Sequence, residues 1–373
     1  MTKIVTLGGG NGQSNFLDAL HRYGRTDWEI SSIVSMSDDG RTTGKLMQQF
    51  QNQLGLHLPP PGDLRRCLFM MSDHIEKKDI EILFETILHG SEHICDLTLD
   101  QLFQKTERKN NIKKLFQEYL DFSLPLEVPI EGYKFGNLLM ASLYFNLGKD
   151  YDHMIEIMHT ALQVKAHIIP VTTQRAMIRA ILGNGEVIET QDRISNVAEY
   201  SAGIADLQLT ECSSESKHHN YVETALLEAD YIIITPGDLY TSLISNLIIG
   251  GVADVLKKSV AKIIYIGNST NKGGETNGLC HLDCVNKIEM FLGRRMDIAV
   301  FNNYKPQLSD EQKKDLQEHI SVKGGDYLLL SDRERSELQR RKIQIFEAPL
   351  LDETSLYKHD KKRLIEVVGE IIL

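Results

Sequence analysis

The residues of this chain best suited to chemistry fall in loops that carry glycine together with carboxylates, amides or hydroxyls. The first is Gly8-Gly9-Gly10-Asn11-Gly12-Gln13-Ser14, which follows the apolar run Ile4 to Leu7 and precedes an amphipathic segment with Phe16, Leu17 and Leu20. Glycines let backbone N–H groups approach an anion, and a helix starting at such a loop adds its partial positive charge. The dinucleotide fingerprint G-x-G-x-x-G is matched only in part, because Asn15 stands where the third glycine belongs. The loop therefore reads as a phosphate or nucleotide cradle and not specifically as an NAD site; a tight β–α turn without a ligand is the alternative.

Two adjacent carboxylates, Asp38 and Asp39, occur in Ser37-Asp38-Asp39-Gly40-Arg41-Thr42-Thr43-Gly44-Lys45. At the carboxyl end of a strand, an acidic residue meets a ribose hydroxyl or a magnesium ion that screens phosphates. Neighbouring side chains on an extended chain point to opposite sides, so one of the pair is expected to face the ligand. Asp-Asp-Gly is also favourable turn chemistry in its own right. In Leu58-Pro59-Pro60-Pro61-Gly62-Asp63-Leu64-Arg65-Arg66-Cys67-Leu68, Asp63 is placed to cap a helix, and Arg65 or Arg66 to grip a phosphate bidentately. Gly132-Tyr133-Lys134-Phe135-Gly136-Asn137 puts an amide at a helix start, where Asn137 either caps the helix or hydrogen-bonds a ligand. Two more loops follow apolar runs: Thr235-Pro236-Gly237-Asp238-Leu239-Tyr240-Thr241-Ser242, and the stretch from Asn268 through Lys272-Gly273-Gly274-Glu275-Thr276.

The elements that must position these loops are short apolar runs with helical patterns between them. The runs Ile4 to Leu7, Ile30 to Met36, Tyr231 to Ile234, Ile263 to Ile266, Ile298 to Phe301 and Ile343 to Phe346 largely lack polar alternation, as buried parallel strands do. A Rossmann-like, doubly wound, mostly parallel α/β sheet is expected, with ligands gathered at the carboxyl ends of its strands. Four of the polar loops fall at such ends, and their convergence on one crevice is the case for a ligand site. Residues from about 73 to 130 read as a helical insertion, with Ile80, Leu83, Phe84 and Ile87 at helical spacing. Gly183-Asn184-Gly185 between two β-rich runs predicts a hairpin. Nothing forces a boundary, so residues 1–373 are taken as one α/β domain carrying that insertion and a small β element.

Composition narrows the function classes. The formal charge is −11 and the basic residues are scattered, which disfavours duplex nucleic acid as a partner. Five cysteines with no C-x-x-C pair argue against a disulfide framework or a zinc site, and the cluster Cys280-His281-Leu282-Asp283-Cys284 reads as helical packing. The first residues enter a strand with no basic or apolar leader, and no run of about 18 apolar residues follows, so a cytoplasmic protein without membrane contact is expected.

Taken together, GGGNGQS, SDDGRTTGKL, PPPGDLRRCL, GYKFGNLL, IIPVTTQ, ADYIIITPGDLYTSLISNLI and NSTNKGGET, in this order, resemble the YvcK-like gluconeogenesis factor family within the CofD-like superfamily of phospholactate transferases. The resemblance implies a Rossmann-like body binding a nucleotide-sugar such as UDP-N-acetylglucosamine in the YvcK branch. In the CofD branch it implies magnesium-dependent transfer of a phospholactyl group from a nucleotide-linked donor to a deazaflavin. By position it implies ligand contacts from Gly9, Gly10, Asn11 and Gly12, from Asp38 and Asp39 (also as magnesium ligands), and from Asp63, Arg65 and Asn137. It extends them to Gly237, Tyr240, Thr241 and Ser242, and to Asn268, Glu275 and Thr276; no catalytic residue is assigned. Asn11 replaces the usual Thr, Asp238 a small Ser, and Cys284 aligns with a common His. DDGRTTGKL is similar to the YvcK branch's DDGGSSGRL, which favours a nucleotide-sugar-binding regulator of carbon metabolism or cell-wall control, with the insertion serving a protein partner or self-association.

Overall fold

The computed structural model describes every residue except 107–113, 115, 117–122, 197–202, 321–326, 353 and 373. Ten strands form two sheets: β1 Thr2–Gly8, β2 Trp28–Val34, β3 His167–Pro170, β4 Ile178–Leu182, β5 Val187–Glu189, β6 Ile204–Leu209, β7 Tyr231–Ile234, β8 Lys262–Ile266, β9 Ile298–Asn302 and β10 Gln344–Ala348. The larger sheet has the order β10-β9-β8-β7-β1-β2-β3 and is parallel throughout. The expected doubly wound α/β architecture is therefore present. The chain lays strands to one side of β1 and then, from β7 onward, to the other. That reversal falls between β1 and β7, and open α/β sheets bind ligands at the carboxyl ends of the strands flanking such a point.

Burial explains the sequence pattern. Ile4, Leu7, Ile33, Ile232, Ile233 and Val300 are fully buried, because helices cover both faces of the sheet. Polar positions inside it are satisfied locally: Gln13, in the first turn of the helix Gly10–Tyr23, donates to Ser32 Oγ at 2.9 Å and to the Ile33 carbonyl at 2.8 Å. This bond fixes the start of the helix against β2.

The smaller sheet has the order β5-β4-β6 and is antiparallel. Its β4–β5 turn is the expected Gly-Asn-Gly hairpin, closed by the Leu182 N–H on the Glu186 carbonyl, with Gly185 at φ +86°. Within 73–130 the structure shows the helices Lys77–Glu85 and Leu99–Gln104 and a single turn at Ile94–Asp96. Ile80, Leu83 and Phe84 are buried as expected, and the Phe84 ring stands 4.9 Å from Phe69 and 5.8 Å from Phe135. Ile87 departs from the expected helical face. The helix stops at Glu85, and Ile87 bridges Lys134 with about half its surface exposed. Among the described residues no helix is long and apolar enough to cross a membrane.

Candidate functional site

The glycine loop sits at the reversal. Gly9 caps the helix Gly10–Tyr23, and Gly10 adopts φ +62°, a left-handed conformation that favours glycine. A side chain on Gly12 would place its Cβ 2.0 Å from the Pro236 carbonyl oxygen. The close approach thus serves contact with the loop after β7 as well as any ligand. Asn11 is exposed at the tip, beside helix N-terminal N–H groups that lack intrahelical partners. The Gly10 N–H donates to Asp63 Oδ2 at 2.7 Å, so a carboxylate from the chain itself already occupies part of the expected anion seat.

Asp63 belongs to the first turn of the helix Gly62–Met70, yet it does not cap that helix; it reaches across to Gly10 and takes an ion pair from Arg66. Asp38 approaches the same place. Its Oδ1 accepts the Gly40 N–H at 3.2 Å, and its Oδ2 lies 2.6 Å from where a Gly62 Cβ would stand. Burial, and then the charge of Asp63, push the Asp38 carboxyl up to about 6. Asp39 points the other way, as alternation requires, and its two oxygens accept the N–H groups of Gln191 (3.1 Å) and Asp192 (2.9 Å) at the start of the helix Gln191–Asn196. The carboxylates that converge are thus Asp38 and Asp63, while Asp39 accepts the first N–H groups of a helix beside the small sheet.

Arg65 is engaged by the neighbouring helix Lys77–Glu85. Its guanidinium is buried and donates to the Phe84 carbonyl (2.6 Å) and to Glu85 (2.5 Å), away from the glycine loop. Desolvation lowers its pKa, with Glu85 opposing. Arg66 is the arginine at the acidic pair. Asn137 is the third residue of the helix Phe135–Asn146, which Lys134 and not Asn137 caps. Its Nδ2 reaches Thr42 and Thr43 at 3.4 and 3.5 Å, and its buried Oδ1 has no hydrogen-bond partner among the described residues. An unpaired buried acceptor costs roughly 1–3 kcal/mol, so this atom is suited to a ligand donor.

After β7 the chain forms a π-helical turn, Leu239–Ile244, a rare geometry associated with functional sites. Its free N–H groups are taken by Glu275: Oε2 accepts from Tyr240 (2.8 Å) and Thr241 (3.1 Å), and Oε1 accepts the Thr241 hydroxyl at 2.5 Å. Burial raises the Glu275 pKa, and Asp238 adds to that rise. Asn268 clamps the same loop, accepting from Gly237 N–H at 3.0 Å and donating to its carbonyl at 2.7 Å. Tyr240 donates its hydroxyl to Ile204, and Thr276 Oγ1 accepts from Lys272 N–H. Tyr240, Thr241, Asn268, Glu275 and Thr276 thus hold the loops to one another instead of presenting open anion contacts. Ser242 faces Gly10, its Oγ 3.2 Å from where a Cβ would stand.

A buried hydroxyl chain escaped the sequence reading. Ser35 Oγ lies 3.1 Å from Ser37 Oγ and 3.0 Å from Ser245 Oγ, and Ser37 donates to the Thr241 carbonyl, tying the end of β2 to the turn after β7. The available signal was the pair of serines just before the acidic residues.

Fold and site together define a doubly wound α/β protein whose switch-point crevice presents a helix N-terminus and two convergent carboxylates. The family described as 2-phospho-L-lactate transferase CofD matches residues 4–351, and the chain belongs to that family. It is similar to a Thermotoga maritima protein, at 27% identity over 99% of both chains. It is likewise similar to the Bacillus subtilis protein named Gluconeogenesis factor, at 28% identity across 78% of this chain and 75% of that one. A solved UPF0052-family structure from Bacillus halodurans shares the fold, with TM-score 0.74 and 22% identity over 99% of this chain and 100% of its own. The resemblance of the motifs to the YvcK-type branch is upheld by these relatives.

Proposed function

We propose that the crevice binds a nucleotide-sugar of the UDP-N-acetylglucosamine type and that the protein is a metabolic regulator acting in the cytoplasm, in carbon metabolism or cell-wall control. The observation that carries this reading is the Gly9–Gly12 loop, seated at the switch point with Asn11 exposed and the Gly10 N–H held by the Asp63 carboxylate. The Gluconeogenesis factor name of the Bacillus subtilis relative agrees with it. Asp38 and Asp63 are hard oxygen donors suited to magnesium, which would offset the repulsion between those carboxylates and a diphosphate. An arriving phosphate competes with Asp63 for the Gly10 N–H, and release of Asp63 frees the helix Gly62–Met70 to shift. Occupancy is thereby communicated beyond the crevice, toward a protein partner or a second copy. A thermal-shift series with uridine, guanosine and flavin nucleotides tests the reading. A ligand at about one hundred times its Kd should add about 2.7 kcal/mol of stability, and absence of any shift overturns the proposal.

A second reading is favoured by the acidic pair itself, because a binding-only protein has less need of two carboxylates at the phosphate end of a site. It is a magnesium-dependent transferase like those after which the family is described. Incubation with magnesium, a phospholactyl-guanosine donor and a deazaflavin, followed by mass spectrometry, separates the two; the regulator reading expects no product.

A further inference from the structure

A groove of about 670 Å³ lies on one face of the large sheet, toward the start of β1 and away from the crevice at its end. Lys3 and Val5, Glu29 and Ser31, and His167 and Ile169, alternate residues of three adjacent strands, form its floor. The helices Tyr151–Leu162 and Asn220–Glu228 wall it. Its size is that of small-molecule sites.

The charges of the lining are unequal. Lys3 is paired with Glu228 at 2.6 Å, and Asp152 with His219 at 2.8 Å, a contact that joins the two walls. Glu29, whose charge also acts on the Lys3 ammonium beside it, and Glu156 line the groove as well, and neither makes a salt bridge within 4 Å among the described residues. The lining also includes the apolar Val5, Ile155 and Ile169, and the imidazoles of His159 and His167 stack with ring centres 6.4 Å apart. We propose that this groove is a second binding site, for a small organic cation: an amine or guanidinium on an apolar or aromatic body. The body takes the apolar floor, and the cation sits between Glu29 and Glu156. A nucleotide, being anionic, is repelled here, so the site is independent of the reading given to the crevice.

A matched pair of probes tests this. Phenethylamine and phenylacetate have the same ring and opposite charge. Each is titrated into the full chain at pH 8 and low salt, with the methyl resonances of Ile155 and Ile169 as readout. The amine should move both resonances, and phenylacetate should bind at least about tenfold more weakly. The double change Glu29→Gln with Glu156→Gln should weaken the amine by a similar factor without changing the melting temperature. Thr160→Lys, at an exposed lining position, should do the same by repulsion. Equal binding of the two probes, no movement up to about 10 mM amine, or variants that bind as the parent does would each overturn the proposal.

Discussion

Asp38 is a carboxyl whose chemistry its surroundings alter strongly. Its carboxyl, ordinarily near 3.8, is pushed up to about 6 by burial and by Asp63. A pKa raised in the folded state contributes stability that is full below the unfolded value and is lost as pH rises through about 6. Asp38→Asn removes the ionisation, so it should stabilise the protein at pH 8, on the order of 1 kcal/mol after screening by partial exposure, with the gain vanishing near pH 4. Urea unfolding at the two pH values checks this, and a loss of stability at pH 8 would contradict the repulsion. Residue spacing made part of this arrangement legible: alternation sets the Asp38 and Asp39 side chains to opposite sides of the chain. It did not reveal that the partner carboxylate comes from Asp63, because that contact spans the fold. Arg65 and Arg66 show the same limit, since helix phase allows one of two neighbours to face the crevice and only packing against Phe84 and Glu85 selects which.

At the level of elements, the loops after β7 and β8 are organised around a carboxylate and not around an open anion seat. Glu275→Ala would leave the N–H groups of Tyr240 and Thr241 buried without their acceptor. The expected cost is on the order of 2–4 kcal/mol, read as a lower urea midpoint; a change below about 0.5 kcal/mol would show that the contact carries no load. A glycine-bearing polar loop at a strand end looks the same in sequence whether its donors await a ligand or are met by a glutamate from the next loop. Strand recognition failed for related reasons. β3 is four residues ending in Pro170, at the sheet edge where proline is tolerated, and is too short to show a period. The buried runs at β7, β8 and β9 were legible because helices cover both their faces, which leaves them uniformly apolar.

For the whole molecule, the sheet order turns scattered motifs into one site. Strands adjacent in space, β1 and β7, are separated by more than half the chain, yet their following loops touch at Gly12 and Pro236. The parallel class was readable from the apolar runs, whereas the reversal at β1 that creates the crevice was not. The central claim is that the N-terminus of the helix Gly10–Tyr23 receives the diphosphate of a nucleotide-sugar. Asn11→Asp tests it most directly, because a negative charge at an exposed helix N-terminus should preserve stability or raise it by about 0.3–1 kcal/mol while repelling a phosphate. Calorimetric titration of UDP-N-acetylglucosamine with magnesium into both proteins is the measurement. The account predicts binding to the parent chain and at least about tenfold weaker binding to Asn11→Asp, or about 1.4 kcal/mol. Equal affinity in the two proteins, or no binding to the parent chain, would contradict it.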